Sequence, residues 1–225
     1  MKYIIHRGIT SKKIEENSYE SIKKALKNNN TVGVEFDIRL TKDKRIVLSH
    51  NSLVNFNVIE NTDYKDIIKK KYLTTLEKIL SINTNKILLI DIKVNNNYKV
   101  FGDTLIKYLD NYDNKNIYLC SFNKKIIRYL KRKTRYKLGY ILFTYKINNG
   151  NFVMVNYKGI SDKKINNIKN KEVFLWTISN KEELNEVKKK FTNINNYYLI
   201  VDKNEWFFWC VTRNYRVISL VTLLV

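Results

Sequence analysis

The sequence contains no proline, two cysteines and six glycines among its 225 residues. Two cysteines in a chain of this length cannot form the framework of a disulfide-stabilised fold. The absence of proline excludes collagen and proline-rich linkers. About 44% of the residues are hydrophobic and 13% are aromatic, which supplies enough apolar material for a packed core and argues against intrinsic disorder. The length suits one ordinary domain or one barrel.

Acidic residues are scarce, because 21 Asp and Glu stand against 42 Lys and Arg, which gives a formal net charge of +21. Such an excess favours nucleic acid, an anionic membrane or a phosphorylated substrate as a partner. The abundance of Lys, Asn, Ile and Tyr also indicates an AT-rich source genome (a low-GC microbe, a parasite or a large DNA virus), whose codon bias would account for most of the charge. The basic residues are scattered and form no stripe interleaved with aromatics, so we expect no nucleic-acid partner. No feature indicates a protein partner.

Short apolar runs alternate with amphipathic stretches along the chain. The runs are rich in Ile, Val, Tyr and Phe, as buried parallel strands are, and the stretches between them carry apolar side chains at helical spacing. Eight strands that alternate with helices predict an α/β protein built as a small, single-domain (β/α)8 TIM barrel, with a doubly wound open sheet as the alternative. The predicted strands are residues 2–6, 32–37, 87–92, 116–120, 137–142, 152–156, 172–177 and 197–201. The predicted helices are residues 18–27, 98–112, 124–132, 162–169 and 181–190.

The two ends of the chain differ in character. Residues 2–5 form a β-like run that stops at a charged His-Arg pair, so we expect no secretory signal and a cytoplasmic location. Residues 206–225 are the most apolar stretch, but Arg213 and Arg216 near its centre make it a poor membrane span. We therefore divide the chain into a barrel, residues 1–205, and a hydrophobic C-terminal tail, which either covers the barrel as a final helix or contacts an anionic membrane surface.

Acidic residues on two of the predicted strands suggest a cation site. Glu35 and Asp37 are two residues apart on a strand, so both side chains project from the same face, which in a barrel can be the interior near the active-site end. Two carboxylates there would repel each other unless a cation lay between them, and oxygen ligands favour Mg²⁺ or Ca²⁺. Asp91 would be a third ligand, and Lys93 on the same face would contact a phosphate. Alternatively, Glu35 and Asp37 are surface carboxylates of an edge strand, and Asp91 and Lys93 form a structural ion pair.

The chain contains two histidines, His6 and His50, and both come just after a strand-like run near these acids. A single histidine is most often a packing or surface residue, but here both histidines of the chain lie in one region. Two imidazoles suit phosphodiester cleavage, because one can remove a proton from the attacking hydroxyl or water while the other protonates the departing alkoxide. The residues alone leave open which histidine has which role.

The order of these residues resembles the glycerophosphodiester phosphodiesterase family. Residues 5–8 (Ile-His-Arg-Gly) are similar to the family's opening His-Arg-Gly turn, and residues 16–18 (Glu-Asn-Ser) to the start of its first helix. Residues 34–43 contain the family's Glu-x-Asp strand followed by Arg-x-Thr-x-Asp, and a second histidine stands at position 50. Residues 90–93 (Ile-Asp-Ile-Lys) stand where the family has an acid-x-Lys motif. The resemblance extends over most of the chain, with most of its motifs in the first quarter.

The resemblance implies a metal-dependent phosphoric diester hydrolase that converts glycerophosphodiesters to an alcohol and glycerol 3-phosphate. Asn17 or Ser18 of the Glu-Asn-Ser motif can instead be a simple helix cap. Trp176 can be a core aromatic residue instead of a wall of the leaving-group pocket. The predicted site residues are His6 and His50 as catalytic acid and base; Glu35, Asp37 and Asp91 as ligands of one Mg²⁺ or Ca²⁺ ion; and Arg7, Glu16, Lys93 and Trp176 as substrate or phosphate contacts.

The chain departs from the family pattern at Glu15, where a proline is usual, at Asn51, where Asp is usual, and at Asp91, where Glu is usual. The shorter Asp91 could displace a metal ligand and weaken binding. The segment between His50 and Leu73 leaves little room for the cap found in family members with small substrates, and an open site would admit lysophospholipids. The alternatives are a phospholipase D-like or C-like enzyme on intact lipid, and a non-catalytic barrel that binds anionic lipid or phosphate.

Overall fold

Strands and helices alternate along the described part of the chain. A computed structural model of the protein describes residues 1–69, 71–112, 116–146, 148–168, 171–194 and 196–202. The strands in these ranges are β1 (Lys2–His6), β2 (Gly33–Leu40), β3 (Ile46–Leu48), β4 (Leu53–Val54), β5 (Asn57–Val58), β6 (Ile87–Ile92), β7 (Ile117–Ser121), β8 (Lys137–Leu142), β9 (Phe152–Asn156), β10 (Glu172–Ile178) and β11 (Tyr197–Val201). The α-helices are α1 (Tyr19–Lys27), α2 (Tyr64–Ile68), α3 (Leu76–Leu80), α4 (Tyr98–Leu109), α5 (Lys124–Leu130), α6 (Asp162–Ile165) and α7 (Lys181–Lys190).

Eight of the described strands are parallel and close into a barrel, which confirms the predicted (β/α)8 TIM fold and excludes the open sheet. The order around the barrel is β1, β2, β6, β7, β8, β9, β10 and β11, and β11 pairs again with β1. At the closure, Ile4 pairs with Ile200 on one side and with Gly33 on the other. Strand β3, which the periodicity did not predict, adds antiparallel to β2 through Ile38 and Leu48.

Side chains of the barrel strands alternate between the interior and the surrounding helices. Leu89, Ile141 and Phe174 belong to a buried cluster inside the barrel, whereas Leu88 and Ile90 belong to the cluster between barrel and helices. Because both faces of each strand are covered, the strands are nearly continuous apolar runs in the sequence.

The interior cluster is closely packed beneath the C-terminal ends of the strands. A Cβ atom at Gly139 would lie 2.3 Å from the ring of Phe152, so only glycine leaves room for this ring inside the barrel. The apolar filling closes the middle of the barrel, and the active sites of such barrels lie above it, at the C-terminal ends of the strands.

The first helix is anchored by its start and by its apolar face. Ser18 is the N-cap, and it exchanges hydrogen bonds with Ser21 in a capping box. Ile22, Ala25 and Leu26 are buried against the barrel. The capping interactions and this buried face hold the preceding turn, residues 7–17, close to the end of β1.

The predicted C-terminal tail, residues 206–225, lies outside the described residues, so the division of the chain at residue 205 stays a prediction. Among the helices that the structure describes, none combines the length and the apolar character needed to cross a membrane. Between His50 and Leu73, the described residues form the β4–β5 hairpin, a 3₁₀ turn at Ile59–Asn61 and α2.

Candidate active site

The acidic residues singled out in the sequence meet inside the barrel, at the C-terminal ends of its strands. Strand register places Asp37 beside Asp91 of β6 and Glu35 beside His6 of β1. Glu35, Asp37 and Asp91 each offer a carboxylate oxygen, and these oxygens lie within 4.8 Å of one another. None of the three residues is more than 3% exposed, so the alternative of surface carboxylates on an edge strand is wrong.

Two basic side chains neutralise part of this acidic cluster. Lys93 Nζ lies 2.6 Å from Asp91 Oδ2 and 3.1 Å from Asp37 Oδ1. Arg7 Nε lies 3.1 Å from Asp37 Oδ2, and the Arg7 backbone N–H donates to Glu35 Oε2 at 3.2 Å. Asp91 and Lys93 therefore do form an ion pair, which was the alternative to a metal-ligand and phosphate-contact role. The pair lies within the acidic cluster, however, and Lys93 also contacts Asp37.

The pKa values of the three carboxyl groups are driven apart by burial and by their neighbours. Burial and the charge of Asp37 raise the pKa of Glu35 to about 8. Burial also raises the pKa of Asp91 to about 6, although Lys93 opposes the shift. Burial acts in the same direction on Asp37, but Lys93 and Arg7 outweigh it and lower the pKa of this group. The cluster as it stands therefore has more buried carboxyl groups than its two cations can keep ionised at neutral pH.

The donor set of this cluster fits a hard divalent cation. Glu35, Asp37 and Asp91 provide only oxygen ligands, which Mg²⁺ and Ca²⁺ prefer. Asp91 Oδ1 is buried and makes no hydrogen bond, and a buried carboxylate oxygen in that state is suited to coordinating a cation. Although Asp91 is shorter than the usual glutamate, its oxygens reach the cluster. The identity of the ion, Mg²⁺ or Ca²⁺, stays a prediction.

His6, the last residue of β1, is oriented by the carboxylate of Asp202, which directly follows β11. Its Nδ1 forms a 2.6 Å hydrogen bond with Asp202 Oδ1, and Asp202 Oδ2 accepts a hydrogen bond of 2.8 Å from the Ser179 hydroxyl. The other ring nitrogen, Nε2, lies 3.9 Å from Glu35 Oε2. Burial by itself would lower the pKa of His6, but the hydrogen bond to Asp202 and the charge of Glu35 outweigh burial, so the pKa of His6 is raised overall. Asp202 thus turns Nε2 towards the acidic cluster.

His50 lies in the loop after β3 and is held through its backbone. The carbonyl oxygen of His50 accepts hydrogen bonds from Arg39 Nε at 3.2 Å and Nη2 at 2.8 Å. Its Nδ1 lies 3.1 Å from Asn51 Oδ1. Burial lowers the pKa of His50, and the contact with Asn51 only partly opposes this. Arg39, which belongs to the Arg-x-Thr-x-Asp motif, is thereby a positioning residue for the histidine loop.

A cleft of about 450 Å³ opens beside His50. Glu16 and Asn17, which connect to the acidic cluster through Arg7 and Asp37, line the cleft together with Lys71 and Lys78. Both carboxylate oxygens of Glu16 accept from Arg7 Nη1, at 3.0 and 3.3 Å. Glu16 therefore orients the Arg7 guanidinium between the cleft and the cluster.

Asn17 holds Asp37 in place and is not a helix cap. Its Nδ2 donates to Asp37 Oδ2 at 2.9 Å, and its Oδ1 accepts from the Asp37 backbone N–H at 3.0 Å. Asn17 has a φ of 52°, in the left-handed region that asparagine tolerates better than most residues. The preceding Gly8 has a φ of 84°, and a Cβ there would lie 2.6 Å from Ser21, so the predicted sharp turn at this position requires glycine.

Trp176 extends from β10 into the mouth of the barrel, and its ring packs partly on the interior apolar cluster. The ring also packs edge-on against Phe122 and Phe143, with centroid distances of 5.9 and 5.3 Å. Its position therefore agrees both with a core aromatic and with the wall of a pocket.

Sequence reasoning missed three contacts: those of Asn17 with Asp37, of Asp202 with His6 and of Phe143 with Trp176. Asn17 stands in the quoted Glu-Asn-Ser motif and Asp202 directly follows the last predicted strand, so both carried a weak signal. Phe143 carried none, because an aromatic residue after an apolar strand looks like part of the core.

Solved structures share this architecture. A glycerophosphodiester phosphodiesterase from Parabacteroides distasonis has a TM-score of 0.74 at 16% identity, covering 89% of this chain and 92% of its own. One from Thermotoga maritima has a TM-score of 0.66 at 20% identity, covering 88% and 93%. One from Agrobacterium tumefaciens has a TM-score of 0.62 at 13% identity, covering 90% and 96%. At these identities the likeness shows the fold alone.

Sequence comparison identifies the family independently of the fold. No curated relative matches the chain. The model of the glycerophosphoryl diester phosphodiesterase family matches residues 6–203, a range that contains the acidic cluster, both histidines and Asp202. A match over most of the chain, ending beside the last barrel strand, leaves only the first five residues and the C-terminal segment outside it. The chain therefore belongs to the glycerophosphoryl diester phosphodiesterase family, which consists of phosphoric diester hydrolases.

Proposed function

We propose that the protein hydrolyses glycerophosphodiesters and the head-group ester of lysophospholipids, with one divalent cation as cofactor. The observation that carries the proposal is the buried cluster of Glu35, Asp37 and Asp91 directly beside His6 at the C-terminal end of the barrel. Carboxylates that could hold a cation, a histidine within reach and two fixed basic groups are the parts that phosphodiester hydrolysis requires.

The basic residues and the acidic cluster would bind the phosphate. A Mg²⁺ or Ca²⁺ ion bound by Glu35, Asp37 and Asp91 would polarise the phosphoryl group and neutralise the charge that develops in the transition state. Arg7 would direct its planar guanidinium, which Glu16 and Asp37 hold from two sides, towards a non-bridging phosphate oxygen. Lys93 would offer its ammonium group on the opposite side of the cluster.

His6 and His50 would transfer the protons. One imidazole takes a proton from the attacking water, or from the 2-hydroxyl of the substrate, as the new P–O bond forms. The other gives a proton to the alcohol oxygen as the P–O bond to the leaving group breaks. Attack by water yields the phosphomonoester directly, whereas attack by the 2-hydroxyl yields a cyclic phosphate that water opens afterwards. Asp202 would hold the His6 ring in the orientation that places Nε2 at the reacting groups.

The short segment between His50 and Leu73 favours diester substrates larger than those that carry glycerol alone. The chain between His50 and Leu73 contributes a hairpin of two-residue strands and one short helix within the described residues. The cleft beside His50 is lined by both polar and apolar residues, and its charged side chains, among them Glu16, Lys71 and Lys78, suit a polar head group.

Turnover of purified substrates tests the proposal. Release of choline would be measured from glycerophosphocholine and lysophosphatidylcholine with Mg²⁺, Ca²⁺ or EDTA, for the wild type, His6→Ala and His50→Ala. Lys24→Ala, an exposed change on α1, serves as the control variant. We expect metal-dependent turnover that either histidine substitution abolishes and Lys24→Ala preserves. No turnover of any diester, together with retained binding to anionic liposomes, would instead indicate the non-catalytic barrel.

A further inference from the structure

Three aromatic rings form one side of the barrel mouth. We call Phe122, Phe143 and Trp176 the aromatic wall. Each stands two residues after a member of the interior apolar cluster, namely Cys120, Ile141 and Phe174, and therefore on the interior-facing side of its strand end.

The rings of the aromatic wall contact one another in a closed group. The centroid of Phe122 lies 5.1 Å from that of Phe143 and 5.9 Å from that of Trp176, and the Phe143 and Trp176 centroids are 5.3 Å apart. The mouth is thus divided into a charged half, on β1, β2 and β6, and an aromatic half, on the strand ends of β7, β8 and β10.

The aromatic wall is more exposed than packing of the barrel would require. Phe143 is 67% exposed and Phe122 is 43% exposed, while the barrel interior below is already filled by the buried apolar cluster. Contiguous exposed rings rimmed by charged groups are a signature of a binding surface. The wall also adjoins the reacting groups, because Lys93 Nζ lies 5.7 Å from the Phe122 centroid and 2.6 Å from Asp91 Oδ2.

The geometry of the aromatic wall favours an apolar ligand over a cationic one. An aromatic cage for a quaternary ammonium needs a gap between its rings, but these rings pack against one another at 5.1–5.9 Å. The Lys93 ammonium beside Phe122 would also repel a second cation. A hydrocarbon chain laid across the two exposed rings meets neither obstacle and removes apolar surface from water.

We propose that the aromatic wall binds the acyl chain of a monoacyl phosphodiester substrate, which makes Phe143 and Phe122 specificity-determining residues for lysophospholipids over glycerophosphodiesters that lack a chain. This inference rests on the proposed function. The head group would then occupy the cleft beside His50, which carries charged side chains, on the other side of the phosphate.

Chain-length dependence gives the first measurement. Lysophosphatidylcholines with four, six and eight acyl carbons would be assayed beside glycerophosphocholine, all below the concentration at which micelles form. A methylene that is half buried on the open wall should raise kcat/KM about twofold, so the eight-carbon substrate should exceed the four-carbon substrate on the order of tenfold. A flat series would overturn the proposal.

Matched variants then locate the effect. Phe143→Ser should lower the ratio of kcat/KM for the eight-carbon substrate to that for glycerophosphocholine by about fivefold to tenfold, mainly through KM. Phe143→Leu, which keeps an apolar surface, should restore most of the ratio. Phe56→Ser is the control, because Phe56 is fully exposed in the β4–β5 turn and is not part of the wall. Equal losses in Phe143→Ser and Phe56→Ser would show that the chain does not bind at the wall.

A binding measurement separates this inference from the proposed function. Calorimetric titration with octyl phosphate and ethyl phosphate needs no turnover. We expect octyl phosphate to bind the wild type at least tenfold more tightly than ethyl phosphate, and Phe143→Ser to remove most of this difference. Tight binding without hydrolysis of any diester would refute the proposed function alone, whereas hydrolysis without a preference for octyl phosphate would refute the aromatic wall alone.

Discussion

Replacement of Asn17 by alanine should strongly destabilise the protein. Asn17 is 6% exposed and exchanges two hydrogen bonds with Asp37, one to the carboxylate and one from the backbone N–H. Asn17→Ala removes both and leaves the Asp37 N–H buried without an acceptor. Alanine must also adopt the φ of 52°, which residues other than glycine, asparagine and aspartate disfavour.

The size of this effect follows from its parts. A lost hydrogen bond to a charged group costs about 1.5–3 kcal/mol, and a buried unsatisfied N–H costs about 1–3 kcal/mol. The left-handed backbone adds about 1 kcal/mol for alanine. Because Arg7 and Lys93 still contact the Asp37 carboxylate, we take the lower part of these ranges and expect a loss of about 3 kcal/mol in the free energy of unfolding.

Urea unfolding followed by far-UV circular dichroism, with EDTA present to remove metal linkage, measures this loss. A change of about 3 kcal/mol shifts the midpoint by about 1 M or more. Asn55→Ala is the matched control, since Asn55 also has a positive φ, of 45°, but is exposed. Asn17→Gly lacks the same two hydrogen bonds as Asn17→Ala but tolerates the positive φ, so it should be about 1 kcal/mol more stable than Asn17→Ala. If Asn17→Ala is no more destabilised than Asn55→Ala, the two hydrogen bonds do not stabilise the folded site and the reasoning is refuted.

Three further predictions concern catalysis. Asp202→Asn should lower kcat about tenfold to a hundredfold, because His6 loses a charged hydrogen-bond partner. Removal of the carboxylate that favours the imidazolium should also lower the pKa of His6, so the limb of the pH–rate profile that reports His6 should move to lower pH. A limb that does not move would contradict this prediction. Arg39→Lys should lower kcat roughly tenfold, because lysine cannot reproduce the paired hydrogen bonds to the His50 carbonyl. Wild-type kcat in this variant would show that the loop is held by other contacts. EDTA should abolish turnover, and Mg²⁺ or Ca²⁺ should restore it. Asp91→Asn should raise the metal concentration that gives half-maximal activity by at least about tenfold. If a metal titration shows the same half-maximal concentration for Asp91→Asn and the wild type, the ion binds elsewhere.

The barrel strands were predictable because their signal is local. A strand that is covered on both faces appears in the sequence as a continuous apolar run. The largest difference between a predicted and an observed strand boundary occurs at β2, which was predicted to end at residue 37 and ends at Leu40. Strands β4 and β5 were missed, and β3 was noted only as the strand-like run before His50, since elements of two or three residues are too short to show a period. Helix α6 was predicted to reach residue 169, but it ends at Ile165 and a 3₁₀ turn follows.

The site was predictable only in part, for a related reason. The shared face of Glu35 and Asp37 follows from their spacing on one strand, so it could be read directly. The double hydrogen bond of Asn17 to Asp37 depends on where the turn after β1 folds, and an asparagine before a helix looks the same as an N-cap in the sequence. The aromatic wall depends on three strand ends that are distant in the chain, and no local pattern distinguishes Phe143 from a core residue.

The sequence by itself determined the alternation of strands and helices, the chemical groups available for catalysis and their order along the chain, because these are properties of neighbouring residues. Only the tertiary structure decided which groups meet. Barrel closure brings His6 to within 2.6 Å of Asp202, 196 positions away in the chain, and strand register brings Asp91 beside Asp37. Burial at the barrel mouth, which only the closed fold provides, raises the pKa of Glu35 to about 8 and makes the cluster suited to a cation.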